Sequence, residues 1–348
     1  MFVPLRRALP RQSVRLITNA AFNQRTRLDR PISVAPMVDI STPAKLLRII
    51  SGSSRYAYYT EMHHGQAILH HTSHLDWFVG PPQPNVVVQL GGAEPHMMAQ
   101  AAKALEKHGY REVNINVGCP SANVQSGKFG AVLMKTPEIV ADILSAMETC
   151  DVSIPVTVKC RIGVDKQESF EFLEKFVDTL LQSKRPPPHL IVHARKCILK
   201  GLTPKKNRTI PPLNYDRVYQ LRDRFPELPI SINGGFTTVD MVNRALEQVD
   251  GCMIGRQVMN HPMFLQELDR DYGEKLLSEK HLLEGTRLPP LTILIKPLMM
   301  LFEGRHGRNF RRELFVELDK KPSLSDFRSV VLQAISSAEV PINFSHSN

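Results

Sequence analysis

The sequence predicts an eight-stranded α/β barrel followed by a smaller all-helical domain, and the main reason is a regular alternation. Between residues 33 and 254, eight short apolar runs alternate with segments of helical pattern. Several runs are almost continuously apolar, which is typical of parallel strands covered on both faces. Eight successive strand–helix units make a (β/α)8 TIM barrel. An open doubly wound sheet is the alternative, but no GxGxxG follows the first run.

The predicted strands and the clearest helices can be assigned along the chain. The strands are Ser33–Val38, Tyr56–Met62, Val86–Leu90, Val113–Val117, Pro155–Cys160, Leu190–Ala194, Ile230–Asn233 and Gly251–Ile254. The helices are Pro95–Lys107 before Gly109, Pro137–Cys150 after Thr136, and Val239–Gln248 after Thr237 or Thr238. Threonine before a helix and proline at its first position are typical of helix starts.

Beyond about residue 265 the alternation ends, so we place the barrel at residues 29–265. Leu291–Phe302 and Arg311–Leu318 have helical patterns with basic residues between them, which predicts a helical domain over 281–320. Asp269–Lys280 is interpreted as a charged linker. Residues 321–348 are interpreted as a tail that contains one more helix, Leu324–Ala338.

Composition narrows the class of protein and of partner. The 348 residues carry a net charge of +10 and are 42% apolar, with a mean hydropathy of −0.19. No uncharged apolar run approaches the roughly 18 residues of a membrane span, so we expect no membrane partner. The excess of positive charge favours a polyanion such as nucleic acid, although solubility accounts for it equally well.

The first 28 residues form a distinct basic leader. They contain six arginines and no aspartate or glutamate, a composition typical of mitochondrial or plastid transit peptides. The alternatives are a disordered basic tail that helps to bind RNA, and a cytoplasmic protein.

Cysteine and histidine spacing argue against a metal site. The five cysteines include no CxxC pair, and the four histidines between residues 63 and 71 lack a zinc-ligand context. We interpret this histidine-rich stretch as loop or RNA-contact residues.

Polar side chains are concentrated where the predicted strands end, which is where a barrel places its ligands. A single one of them has an ordinary structural explanation, but a set in phase on several strands predicts a site. The set comprises Gln89, Asn116, Cys119, Lys159, Arg161, His193, Arg195, Asn233 and Arg256.

Glycine pairs at the last two strands indicate a phosphate. Gly234 and Gly235 follow the seventh predicted strand, and Gly255 followed by Arg256 ends the eighth. Barrels commonly bind phosphate at these two loops, through backbone N–H groups near helix starts. The alternative is that these glycines serve only tight turns.

Ten segments, in order, resemble those of the tRNA-dihydrouridine synthases, and most closely the bacterial A-type subgroup. The most specific are NINVGCPS at 114–121, PVTVKCRIG at 155–163 and IVHARK at 191–196. SINGG at 231–235 and MIGR at 253–256 would fit many flavin barrels.

The resemblance implies an FMN-containing barrel with a helical domain that binds tRNA at its D-arm. NADPH would reduce the flavin, and the enzyme would then reduce the C5–C6 double bond of a D-loop uridine, with hydride passing from flavin N5 to C6. No obligatory protein partner is implied.

The resemblance also implies roles for individual residues. Cys119 would give a proton to C5, since an ordinary thiol has a pKa of about 8.5 and is protonated at neutral pH. Lys159 would stabilise negative charge at the N1–C2 edge of reduced FMN. The rest of the implied flavin site is Pro36, Met37, Val38, Gln89, His193, Asn233, Gly234, Gly235, Gly255 and Arg256. The implied uracil and tRNA contacts are Asn116, Arg161, Arg195, Lys205, Arg208, Arg308 and Arg311.

Two other functions stay open at this point. A flavin barrel could reduce a free pyrimidine, which needs no basic RNA surface, or the protein could be a non-catalytic tRNA-binding scaffold.

Overall fold

The protein is a closed barrel of eight parallel strands, which confirms the predicted fold class. The computed structural model describes residues 28–38, 41, 56–261, 264–271, 304–320 and 327–337. Each strand pairs with the next, and pairing between the first and the eighth closes the barrel. The strands are β1 Ile32–Val34, β2 Ala57–His64, β3 Val86–Gly91, β4 Val113–Asn116, β5 Val156–Arg161, β6 Leu190–His193, β7 Ile230–Asn233 and β8 Gly251–Ile254.

Helices follow the strands and cover the barrel. Those of the barrel region are α1 Gly65–His70, α2 Leu75–Phe78, α3 Pro95–His108, α4 Ala122–Ser126, α5 Pro137–Thr149, α6 Phe170–Leu181, α7 Tyr215–Arg224, α8 Val239–Leu246, α9 Arg256–Asn260 and α10 Phe264–Asp271. Short 3₁₀ turns occur at Thr72–His74, Gly130–Lys135 and Lys206–Arg208. None of the described helices is long and apolar enough to cross a membrane.

Helix boundaries follow the predicted signals with one exception. The Glu94 carboxylate accepts hydrogen bonds from the first turn of α3, and Gly109 ends that helix with a φ of 108°. Thr238, rather than Thr237, caps α8 by accepting from the Met241 N–H at 3.2 Å. Thr136 precedes α5 but makes no side-chain capping bond, so that part of the prediction was wrong.

Two strand predictions were also wrong. β1 ends at Val34 instead of Val38, because Pro36 has no N–H to continue a ladder. β2 runs on to His64. His63 is therefore a buried strand residue rather than part of a loop, and His70 lies at the end of α1.

The two faces of each strand pack differently. Val86, Val88 and Leu90 of β3 point outwards into the large apolar cluster beneath the helices. Val87 belongs instead to a small cluster inside the barrel. Two residues further along, the interior position is Gln89. On the neighbouring strands, Asn114 of β4 and Thr157 of β5 are also buried and polar, and they are hydrogen-bonded to each other. The barrel interior thus holds a small apolar cluster beside a polar set that continues to the carboxyl-terminal mouth.

The C-terminal region contains two described helices, α11 Gly304–Asp319 and α12 Phe327–Ser337, which pack against each other. α11 begins seven residues before the predicted Arg311 start, and α12 lies within the segment that we interpreted as a tail. The predicted helix Leu291–Phe302 and the leader up to residue 27 lie outside the described residues.

Candidate active site

Cys119 lies in a tightly hydrogen-bonded loop after β4. The Asn116 side-chain oxygen accepts the backbone N–H groups of Gly118 at 3.1 Å and Cys119 at 2.9 Å. The Cys119 carbonyl accepts the Ala131 N–H at 3.0 Å. A Cβ at Gly130 would lie only 2.6 Å from that carbonyl, and Gly130 has a φ of 71°, so only glycine fits there. The thiol of Cys119 is partly exposed at the barrel mouth.

Lys159 projects from β5 into the barrel, where its ammonium donates to the Asn233 side-chain oxygen at 3.1 Å. The Asn233 amide in turn donates to the Met253 carbonyl at 2.8 Å, which fixes its orientation. Burial, and then the positive charge of Arg161, lower the pKa of Lys159 to about 8. No carboxylate of the described residues pairs with this ammonium, so it is arranged to meet a negative charge supplied by a ligand.

His193 lies on β6 close to Lys159 and Asn233, and its imidazole is neutral. Burial lowers its pKa well below the usual value, and the nearby positive charges of Arg161, Lys159, Arg195 and Arg256 lower it further. A neutral imidazole offers one N–H donor and one acceptor nitrogen. The ring can therefore hydrogen-bond a ligand but does not add to the positive charge.

Three guanidinium groups cluster at the ends of β6 and β8 and in the loop between β6 and β7. Arg256 donates to the Arg208 carbonyl at 3.0 Å. Partial desolvation, and then the charge of Arg256, lower the pKa values of both Arg195 and Arg208. The Arg195 Nε is buried without a partner. No ion pair joins any of the three to a described carboxylate, so a bound anion would relieve their repulsion.

The glycines beside this cluster have a structural requirement of their own. Gly234 and Gly235 have φ values of 127° and 79°. A Cβ on either would collide with Leu213, which lies 3.0 Å from the first position and 2.6 Å from the second. The tight-turn alternative is thus sufficient to explain both glycines. Even so, the backbone N–H groups of Gly235 and Gly255 donate to no acceptor among the described residues, which leaves them available to a ligand.

Arg161 joins two loops rather than projecting freely into the mouth. Its Nε donates to the Gly118 carbonyl at 2.8 Å, and its Nη1 donates to the carbonyls of Lys196 and Asn207 at 3.1 and 3.3 Å. Gln125 makes a parallel link, since its amide donates to Pro120 and Leu199 at 2.8 Å. The Cys119 loop and the basic loop after β6 are therefore held as one unit.

The remaining predicted site residues occupy varied positions. Met37 lies near Gly255, whereas Val38 is 67% exposed. Pro36, like Met37, is half-buried and follows the buried Ala35. Lys205 and Arg208 are exposed; Lys205 immediately precedes the 3₁₀ turn after β6, and Arg208 ends it. Arg308 and Arg311 lie three residues apart on α11 and therefore on one face of it, as predicted for a helix that starts this early.

Sequence reasoning missed several residues that build the site. Asn207 is fully buried, and its side chain organises the basic loop through Ile198, where it accepts the N–H at 2.8 Å and donates to the carbonyl at 2.9 Å. Tyr215 donates to the Gly234 carbonyl at 2.6 Å. Asn207 lies within the motif GLTPKKNRTIPPL at 201–213, which was the available signal. Among the described residues, no group of three or more His, Cys, Asp or Glu side chains could hold a metal ion.

Comparison with known proteins decides the family. Residues 33–339 match the family described as dihydrouridine synthase (Dus). The chain belongs to the dihydrouridine synthase family. Its members are flavin-dependent oxidoreductases, so the chain is an enzyme of this class.

Dihydrouridine synthases of several bacteria are similar over most of their length. A Shewanella oneidensis protein named tRNA-dihydrouridine(20/20a) synthase is 42% identical over 310 residues, which cover 84% of this chain and 90% of that protein. Proteins of the same name from Synechocystis sp. and Escherichia coli (strain K12) are 41% and 42% identical. Each match covers 81% of this chain, and 87% and 85% of the relative, respectively.

Proposed function

We propose that the protein reduces the C5–C6 double bond of uridine in the D-arm of tRNA, with FMN as its bound cofactor and NADPH as the reductant. The observation that carries the proposal is the partly buried Lys159 ammonium beside the Cys119 loop. It has no carboxylate partner among the described residues. The names of the relatives favour uridines 20 and 20a as targets.

The residues at the barrel mouth fit FMN. Lys159 would meet the negative charge of the reduced ring at its N1–C2 edge, and the buried Gln89 would hydrogen-bond the ring. Arg256 and the N–H groups of Gly235 and Gly255 would hold the phosphate. When bound and reduced, FMN would supply the hydride to C6 of the uracil.

The chain itself supplies the proton and the pocket. Cys119 would donate its thiol proton to C5, and the loop that holds it is fixed by Asn116 and Arg161. Asn116 and Arg195 would orient the uracil, which must leave the tRNA stack to reach the mouth.

The flavin test is direct. We expect the purified protein to be yellow, NADPH to bleach it, and unmodified tRNA to restore the colour as dihydrouridine forms. Stopped-flow absorbance and mass spectrometry of the tRNA are the measurements. Absence of flavin that added FMN does not remedy would contradict the proposal. Equal turnover of free uridine would point to a pyrimidine reductase instead.

We assign the tRNA contacts to two basic surfaces, Lys205 with Arg208 and Arg308 with Arg311. Contacts to phosphate release counterions, so tRNA binding should weaken as salt rises. In the same assay, KM for tRNA should rise steeply with salt while kcat changes little.

We further propose that residues 1–28 direct the protein to a mitochondrion or plastid. Six arginines without acidic residues support this. A fluorescent protein fused behind residues 1–28 should localise to the organelle, and the same fusion with the arginines replaced by glutamine should stay in the cytosol. Cytosolic fluorescence from the unaltered fusion would overturn the proposal.

A further inference from the structure

A continuous chain of hydrogen bonds runs through the barrel from the Cys119 loop to its opposite end. It begins where the Cys119 N–H donates to the Asn116 Oδ1 at 2.9 Å. The Asn116 Nδ2 donates to the Gln89 Oε1 at 2.7 Å, and the Gln89 Nε2 donates to the Asn114 Oδ1 at 2.8 Å. The first half of the chain thus links three amides on two neighbouring strands, β3 and β4.

The second half leads to a carboxylate at the amino-terminal end of the barrel. The Asn114 Nδ2 donates to the Thr157 Oγ1 at 3.0 Å, and that hydroxyl donates to the Glu112 Oε1 at 2.9 Å. Glu112 immediately precedes β4, so it lies one barrel height away from Cys119. The middle of the chain is closed off from water, since Asn114, Gln89 and Thr157 are at most 2% exposed.

Each amide in this chain has one possible orientation. Two backbone N–H groups point at Asn116, so its oxygen must face them and its nitrogen must face Gln89. The Gln89 oxygen then faces Asn116, and its nitrogen faces Asn114. The same reasoning turns the Asn114 nitrogen towards Thr157, whose hydroxyl donates to Glu112 at 2.9 Å in preference to the Val113 carbonyl at 3.4 Å. When ionised, the Glu112 carboxylate accepts without donating, so the chain ends there.

This orientation leaves a defined set of donors for a ligand. An amide nitrogen carries two hydrogens, and the chain uses one on Gln89 and one on Asn116. Among the described residues of the protein, the second hydrogen of each of these two amides has no acceptor. If either amide were reversed, an oxygen would face the ligand instead. The chain therefore decides whether the barrel mouth offers donors or acceptors at these two positions.

We propose that Glu112, Thr157 and Asn114 are positioning residues that fix the Gln89 and Asn116 amides from the far end of the barrel. The proposal rests on the proposed function for the nature of the ligand, which is a flavin or uracil carbonyl. None of the three residues reaches the barrel mouth, and each acts through the next side chain in the chain.

The surroundings of Glu112 determine whether the carboxyl at the end of the hydrogen-bonded chain is ionised. Burial raises the pKa of Glu112 to about 7, while the hydroxyls of Thr157 and Tyr59 and the charge of Arg30 favour ionisation. The Tyr59 hydroxyl donates to the same oxygen at 3.4 Å. Near neutral pH the carboxyl is thus close to the protonation boundary. Burying an ionisable carboxyl has a desolvation cost that an apolar residue would avoid. This cost argues that the polar chain serves the site rather than the fold.

Thr157→Val and Thr157→Ser form a matched pair for the test. Valine keeps the shape but removes the hydroxyl, so Asn114 loses the partner that orients it, whereas serine keeps the hydroxyl. We expect Thr157→Val to weaken FMN binding by roughly tenfold, the effect of one misdirected buried hydrogen bond. Thr157→Ser should bind as the wild type does. Titration of the flavin-free protein with FMN, followed by flavin fluorescence, gives both dissociation constants.

A double-mutant cycle with Gln89→Ala separates positioning from a loss of structure. If Thr157 acts through Gln89, Thr157→Val should have little further effect on FMN binding once Gln89 is alanine. The same tenfold loss in both backgrounds would overturn the proposal. Ser231→Ala is the control, because Ser231 is an interior hydroxyl that bonds His189 at 2.8 Å outside the chain. It should leave FMN binding unchanged.

Hydrogen exchange in the flavin-free protein tests the chain independently of function. Thr157→Val should speed exchange in the peptide that contains Gly118 and Cys119, and Thr157→Ser should not. Should wild-type protein bind no FMN, the proposed function fails, and this measurement still decides the inference. Should Thr157→Val not fold, Asn114→Leu, which has nearly the same shape, takes its place with the same expected results. Unchanged exchange in Thr157→Val, or in Asn114→Leu where that variant replaces it, contradicts the proposal.

Discussion

Cys119→Ala should lower the rate of tRNA reduction by about 10²–10⁴-fold, the usual contribution of a positioned general acid. FMN and tRNA should bind as before, because the loop is held by the Cys119 backbone and not by its thiol. Single-turnover reoxidation of NADPH-reduced protein by unmodified tRNA measures the rate. A fluorescence titration measures the tRNA dissociation constant.

Cys150→Ala is the matched control for this prediction. Cys150 is a free, partly exposed cysteine at the C-terminal end of α5, away from the strand ends. Its replacement should leave the rate unchanged, which excludes a general effect of thiol loss. A full reoxidation rate in Cys119→Ala would rule out Cys119 as the proton donor. Alkaline pH alone is a weaker test, because Lys159, with a pKa of about 8, also loses its charge as the pH rises.

The sequence was sufficient for the fold because the barrel is a repeated local pattern. β7 and β8 have the bounds that the sequence predicted, since each is a short apolar run closed by glycine or a polar residue. β1 was overextended because Ala35 and Val38 are apolar, although Pro36 prevents pairing. The histidines at the end of β2 were placed in a loop because polar residues at a strand end resemble a turn.

The sequence could predict which side chains lie together at the barrel mouth but not the hydrogen bonds between them. Lys159, His193 and Asn233 were predicted from their places at strand ends, and they do face the same mouth. The Arg161 contacts and the chain through Asn114 and Thr157 depend on register between strands. Asn114 lies opposite Gln89 on one side and Thr157 on the other. Nothing in a single sequence reveals that stagger. Asn114 and Thr157 lie within the quoted motifs at 114–121 and 155–163, but those motifs do not show that the two side chains meet, and Glu112 lies outside both.

Lys159→Met should abolish productive FMN binding and yet stabilise the flavin-free protein. In the folded chain burial lowers the pKa of Lys159 from 10.5 to about 8. Below pH 8 the folded protein therefore pays the cost of a buried charge, which we estimate at about 2 kcal/mol after allowing for partial exposure. Methionine fills similar space without a charge, so the free energy of unfolding at pH 7 should rise by about that amount.

The pKa values of Lys159 in the folded and unfolded chain decide whether its contribution to stability rises or falls with pH. Between pH 8 and 10.5 the unfolded chain holds the Lys159 proton while the folded chain has released it. Unfolding then takes up a proton, so this lysine makes the wild type more stable as pH rises through that window. Lys159→Met should lose that increase. Urea unfolding of flavin-free protein at pH 7 and at pH 10 measures the difference.

The exposed Lys175 on α6 provides the control, since Lys175→Met removes a solvated charge and should change neither stability nor FMN binding. A Lys159→Met protein that is less stable than the wild type at pH 7 would mean that the ammonium supports the fold through Asn233. A more stable protein that no longer binds FMN would mean that the chain keeps an unfavourable buried charge for its ligand. The second result is the one that the single hydrogen bond of Lys159 leads us to expect.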